Sequence, residues 1–364
     1  MSRLYLIGLL SLSLSLGAAA SHSAEPPPVF LATWGQSGTG GGDFNWPHGV
    51  AVDASGNVYV VDANQDRIQK FDSSGAFLMM WGWGVQNGSS AFQVCTSGCQ
   101  EGLPGPGVGQ LDHPWGVAVD ATANVYVADY FNHRVQKFDG NGTFLRMWGW
   151  GVQDGSTEFQ VCTSGCQKGL PGIGLGQFSS PTGVAVDSSG NAYVCQVGNA
   201  RVQVFDSLGA FLSKWGAYGT ADGEFDGPEG LAVDSLGNVY VADTGNHRIQ
   251  KLDNSGNFVT KWGTYGTGEG EFDKPESVAV DSWGNVYVTE LLNHRVQKFD
   301  SNGAFLVEWG TKGGADGELR YPLGVAAPRS GKIYVADTHN HRVQVFGGPW
   351  LDFYVGEPEQ PTDS

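Results

Sequence analysis

Residues 241–253 read VADTGNHRIQKLD and set Asp243, Asn246, His247 and Arg248 within six positions, a mixture able to ligate a metal or to exchange protons. The arginine recurs as Arg67, Arg134, Arg201, Arg248, Arg295 and Arg342. The acid five positions before it recurs as Asp62, Asp129, Asp243 and Asp337, with Gln196 and Glu290 in the other two copies. A reaction centre need occur only once. An Asp and an Arg at one spacing throughout instead describe a brace, in which charge-assisted hydrogen bonds hold a hairpin. Asn132, Asn199, Asn246, Asn293 and Asn340 suit its turn. His133, His247, His294 and His341 read as a surface ring rather than as metal ligands. The repeated DxxGN turns, such as that opened by Asp234, carry too few donors for an EF-hand loop.

Positions that break the repetition are more informative. The residue after each core proline is His48, Trp115, Thr182, Glu229, Glu276 or Leu323. An imidazole, an indole and two neighbouring carboxylates could line a polar pocket; the alternative is a solvated loop position free to vary. The second departure is a pair of 20-residue insertions, at about 83–110 and 150–177, with nearly one sequence. Each holds two cysteines, Cys95 with Cys99 and Cys162 with Cys166. Two nearby thiols in an exported loop favour a local disulfide; a shared metal, cross-pairing and free thiols are the other arrangements. Trp83 and Trp150 open the insertions, either as exposed anchors for a partner or packed down on the loops. Cys195 stands where other copies have Ala, Val or Thr and reads as a buried free thiol. Gln196, Ala200 and Glu290 alter the third and fifth copies of the brace loop, and Glu290 beside Glu276 suggests a small acidic patch.

The elements that must position these residues repeat six times, with cores starting at Pro47, Pro114, Pro181, Pro228, Pro275 and Pro322. A fixed period of this length signals a solenoid or a propeller. In PEGLAVDSLGNVYVADTGNHRIQKLDNSGNFVTKWG, four short strand-like runs alternate with Asp/Gly turns. The pattern predicts an all-β, six-bladed propeller with four antiparallel strands per blade. The sixth copy lacks its fourth run, while FLATWG at residues 30–35 stands alone before the first copy, so the N-terminal strand is expected to close the ring. The joints between blades and the brace loops then share one face, and the Asp/Gly turns the other. Residues 1–24 have the charged start, apolar middle and small-residue end of a signal peptide, 25–350 form the propeller, and 351–364 a polar tail expected to be disordered.

With NHR in four of its loops, this unit resembles the NHL repeat over about residues 30–347. The resemblance implies a six-bladed propeller, as in exported bacterial-type NHL repeat proteins. The family includes enzymes, RNA-binding regulators and extracellular sensor domains, so fold does not fix function. Its amidating lyase holds zinc in the channel by histidines. His48 in FNWPHGVAVD is similar to one of those ligand positions, but the other five blades offer no histidine there. A calcium-dependent lactonase of the wider six-bladed group would use carboxylates, for which Glu229 and Glu276 are the candidates.

The chain has 364 residues and a formal charge of −17, which argues against a nucleic-acid partner. No stretch after the signal peptide is long and apolar enough to span a bilayer. The expectation is a secreted or periplasmic monomer that binds a protein, peptide or glycan through its insertion-bearing face. No nucleophile with a base is recognisable. The alternative is a metal-dependent enzyme, amidating-lyase-like or lactonase-like, centred on His48, Glu229 and Glu276. No cofactor is expected, and calcium or zinc is the ion to consider.

Overall fold

The second and third runs, such as Val58–Asp62 and Arg67–Phe71, are buried along their whole length in the first four copies. Strands covered on both faces read as near-continuous apolar runs rather than alternating ones. The fourth runs, such as Phe211–Trp215, alternate between half-buried and exposed, as befits an outer strand. The computed structural model describes residues 25–348 and arranges these strands in six antiparallel sheets, one per copy. The expected signal peptide and polar tail lie outside the described residues.

Val29–Trp34 pairs antiparallel with Arg342–Gly347 and completes the sixth sheet, with Trp34 opposite Val343. The first and last segments are thereby locked together and no blade is left incomplete. Between blades, apolar layers fill the wedges. Trp81 of blade one is fully buried against Phe138 of blade two, with ring centroids 6.0 Å apart.

Four strands per blade holds for four of the six. In blades one and two the outer strand lengthens to Phe77–Trp83 and Phe144–Trp150, and the insertion folds back on it as Phe92–Cys95 and Phe159–Cys162. The insertions are therefore fifth strands as well as inter-blade loops. Each FQVC run is short, aromatic and β-branched, and it covers an edge that would otherwise face water.

The innermost strands converge on the axis. The second residue after the core proline is glycine in every blade but the fifth, which has Ser277. A Cβ on Gly49 would lie 2.8 Å from the Trp115 carbonyl oxygen, and one on Gly230 2.5 Å from that of Glu276. Glycine here lets neighbouring strands approach closely enough to bring the variable residues into one ring.

Candidate functional site

The repeated Asp and Arg meet in a brace that extends beyond the hairpin. In blade two, Arg134 donates from Nε to Asp129 at 2.8 Å and from its terminal nitrogens to the carbonyls of Pro106, Gly107 and Gln110. Those carbonyls belong to the joint arriving from blade one. Arg67 with Asp62, Arg248 with Asp243, Arg342 with Asp337 and Arg295 with Glu290 are paired likewise. In blade three Gln196 replaces the acid, and Arg201 keeps its joint carbonyls while its buried Nε has no protein partner. A third member was missed in the sequence. Gln136 donates to both Gln110 and Asp129, and RxQ recurs in every copy. Glu290 is buried and committed to Arg295, so it forms no acidic patch with Glu276.

The histidines of the brace loop are not merely a surface ring. His133, His247, His294 and His341 adopt left-handed backbone, and each Nδ1 accepts an N–H from the next blade: Ser180, Lys274, Tyr321 and Trp46. His294 is itself buried. In blade one Asp66 takes the same role, accepting from the His113 N–H at 2.8 Å. Ala200 of blade three has no side chain able to do so.

At the channel mouth, His48, Trp115, Thr182, Glu229, Glu276 and Leu323 line one narrow cavity of about 80 Å³. His48, Thr182 and Glu276 are buried, so these are wall positions rather than solvated loop ends. His48 is 2% exposed, and neither ring nitrogen has a hydrogen-bond partner in the protein. Burial, with minor repulsion from His113 and His339, lowers its pKa to about 3, leaving a neutral imidazole. Burial raises Glu229 to about 7, opposed by Lys274, and one of its oxygens is also buried without a partner. Burial raises Glu276 well above the usual carboxylate range, reinforced by Glu229.

One side of the mouth is aromatic. His48 meets Trp115 edge-on with centroids 4.4 Å apart, Trp115 stacks on Tyr130 at 5.2 Å, and Phe131 adjoins them, 47% exposed. Trp46, 39% exposed, continues the rim through His339 to Tyr321. The metal centre proposed for His48, Glu229 and Glu276 does not fit: among the described residues no three His, Cys, Asp or Glu side chains come together as a metal-holding group. Zinc or calcium sites draw on more donors than that.

The insertion cysteines are paired as Cys95–Cys99 and Cys162–Cys166, each with Cα atoms 5.8 Å apart. Cys195 is a buried free thiol among Thr182, Gly183 and the Glu229 carbonyl. Trp83 and Trp150 pack the insertions down rather than stand as anchors. Both are half-buried, and their indole N–H groups donate to the Val108 and Leu175 carbonyls of their own loops at 2.7 and 2.8 Å. The exposed apolar groups of the second insertion are Ile173 and Leu175. No helix among the described residues is long and apolar enough to cross a membrane.

Over 207 residues the chain is 33% identical to Drosophila melanogaster protein brain tumor, covering 56% of this chain and 16% of that protein. It is 32% identical over 114 residues to peptidyl-glycine alpha-amidating monooxygenase A of Xenopus laevis, covering 30% of this chain and 10% of that one. The chain thus spans only a small part of the curated relatives it matches. A gluconolactonase structure from Xanthomonas campestris shares the fold, with a TM-score of 0.53 and 15% identity over 90% of this chain and 98% of that one. Matches to the NHL repeat fall once on each blade, at residues 44–71, 111–138, 178–205, 225–252, 272–299 and 319–346, and the chain belongs to the NHL repeat family.

Proposed function

We propose that the protein is an exported binding or scaffold module whose working surface is the face carrying the joints, the brace loops and the two insertions. The observation that carries this reading is the aromatic rim of the channel mouth, where Trp115, Tyr130 and Phe131 pack together with Phe131 left 47% exposed. Clustered aromatics anchor interfaces well, because they bring large apolar area at a small entropic cost. The insertions flank the rim already ordered by a disulfide and a fifth strand, so a partner meeting them has little loop entropy to remove. The opposite face is built largely of repeated Asp-capped turns. Asp53 there accepts from Ser55, Asn57 and Tyr59, and Asp120 from Thr122, Asn124 and Tyr126.

A partner held on the joint face is a protein, peptide or glycan, and the disulfides suit an oxidising compartment. The test is to screen peptide and glycan arrays with the intact protein and with a variant whose insertions are replaced by the short joint of blade three, residues 215–228. Loss of the hits in the replaced protein is expected. Identical hits from both proteins would sink the reading.

A further inference from the structure

We infer that the channel mouth is a receptor for a single primary ammonium group, carried by a partner's lysine side chain or by a free diamine. The inference rests on the joint face being the binding face, and it names what that face recognises.

Three features converge in one small cavity. Glu229 and Glu276 supply carboxylates from adjacent blades, with one Glu229 oxygen buried and unpartnered. His48 faces the same cavity, almost wholly buried, with both ring nitrogens unpartnered. A buried polar atom left without a partner costs about 1–3 kcal/mol, and here the Glu229 oxygen and one His48 nitrogen can accept while the other His48 nitrogen, which carries the proton, can donate. The third feature is the aromatic rim: Trp115 lines the cavity and Tyr130 stacks on it.

The chemistry of the donors selects the ligand. Two buried carboxyls, held above their ordinary range by burial, ionise at least cost beside a cation. A divalent metal would need further ligands, and no three-donor group forms here. A primary ammonium makes lighter demands: the carboxyls of Glu229 and Glu276, on adjacent blades, can accept from it, and its remaining N–H can be solvated. The narrow mouth, about 80 Å³, has room for a slender head group. An indole face attracts an ammonium, and the neighbouring rings suit its methylene stem.

Calorimetric titration of the full chain with butylammonium chloride, with n-butanol as the neutral isostere, tests this. Butylammonium should bind and n-butanol should not, and the double substitution E229Q/E276Q should weaken binding at least tenfold. The comparison of the two probes on the unaltered protein stands even if that variant misfolds. Equal binding of both probes, undiminished binding to folded E229Q/E276Q, or displacement of butylammonium by micromolar calcium or zinc would overturn the proposal. An acetyl-Gly-Lys-Gly amide peptide that outcompetes 1,5-diaminopentane, and fails once its lysine is acetylated, would assign the ammonium to a partner chain; the reverse order would assign it to a free diamine. Butylammonium binding retained by the insertion-replaced protein while array hits are lost supports both readings. Array hits lost without any preference for butylammonium would sink the ammonium receptor alone.

Discussion

The Nδ1 of His294 accepts a hydrogen bond from the backbone N–H of Tyr321 at 3.1 Å, across the boundary between the fifth and sixth blades. Only a neutral ring can accept there, since both nitrogens of an imidazolium are donors. The same link joins blade two to three, four to five and six to one. The histidine of these four loops therefore joins neighbouring blades.

This link makes the ring sensitive to acid. Burial lowers the pKa of His133, His294 and His341 in the folded state. A histidine whose folded pKa is depressed contributes stability that is intact above its unfolded value, about 6.5, and is lost as pH falls below it. His294→Asn keeps an acceptor and tolerates left-handed backbone, but does not titrate. Urea midpoints should show the wild type losing stability relative to this variant between pH 7.5 and 5. A difference that stays constant with pH would rule out the link as the acid-sensitive element.

Blade three is the weak sector. It alone lacks both the acid opposite its arginine and the side-chain acceptor that His or Asp66 supplies at the end of the brace loop elsewhere, because of Gln196 and Ala200. Arg201 Nε and Gln196 Nε2 are both buried without partners. Gln196→Asp should place a carboxylate against a guanidinium that is already buried, so only one new charge is desolvated. A gain of about 1.5–3 kcal/mol in urea unfolding is expected. No gain would mean that desolvating the carboxylate cancels the pair.

The fold and the brace were legible because repetition separates structural residues from the rest. Six copies of the arginine, five of them with an acid five positions before it, admit one reading, and the orphan FLATWG run named its own place in the ring. The fifth strands were less visible: FQVC is only four residues long and sits among glycines, so its pairing depends on the outer strand extending past Trp81. The orientation of Trp83 was open for a similar reason, since an indole beside a glycine-rich loop can face either way until its N–H finds Val108. His48 was visible as an exception to the repeat. Its burial was not, because that depends on how closely the glycine column lets the blades approach.

Deleting residues 25–36 should uncover the third strand of blade six along Arg342–Gly347. An apolar edge with unpaired backbone groups recruits other chains. Size-exclusion chromatography should show oligomers or aggregate, with a large fall in melting temperature. A monomeric deletion variant with the parental melting temperature would exclude the closing role.

Each disulfide closes a loop with a sequence separation of 4. Chain entropy for so small a loop is worth roughly 2 kcal/mol at most. Cys95→Ala with Cys99→Ala should leave the far-ultraviolet spectrum unchanged and speed proteolysis within residues 83–110. Burial pushes the Cys195 thiol up to about 12, so alkylation there should require unfolding. Modification of Cys195 in the native protein as fast as in urea would contradict its place in the wall.

The last prediction concerns the carboxylate pair. Folding raises Glu229 to about 7 and Glu276 well above its ordinary range, chiefly by burial. For a group whose folded pKa exceeds its unfolded one, the contribution to stability is fully present below the unfolded value, about 4.3, and is lost as pH rises through the folded value. The wild type should therefore lose stability relative to E229Q/E276Q between pH 5 and 8, opposite in direction to the histidine effect. Both proteins keep their histidines and Asp62, so subtracting the two pH profiles isolates the pair. A superimposable profile would mean that the carboxylates are solvated in the folded protein. If the channel mouth receives an ammonium group, butylammonium at pH 8 should restore melting temperature to the wild type and leave E229Q/E276Q unmoved, because a ligand stabilises only the state that binds it.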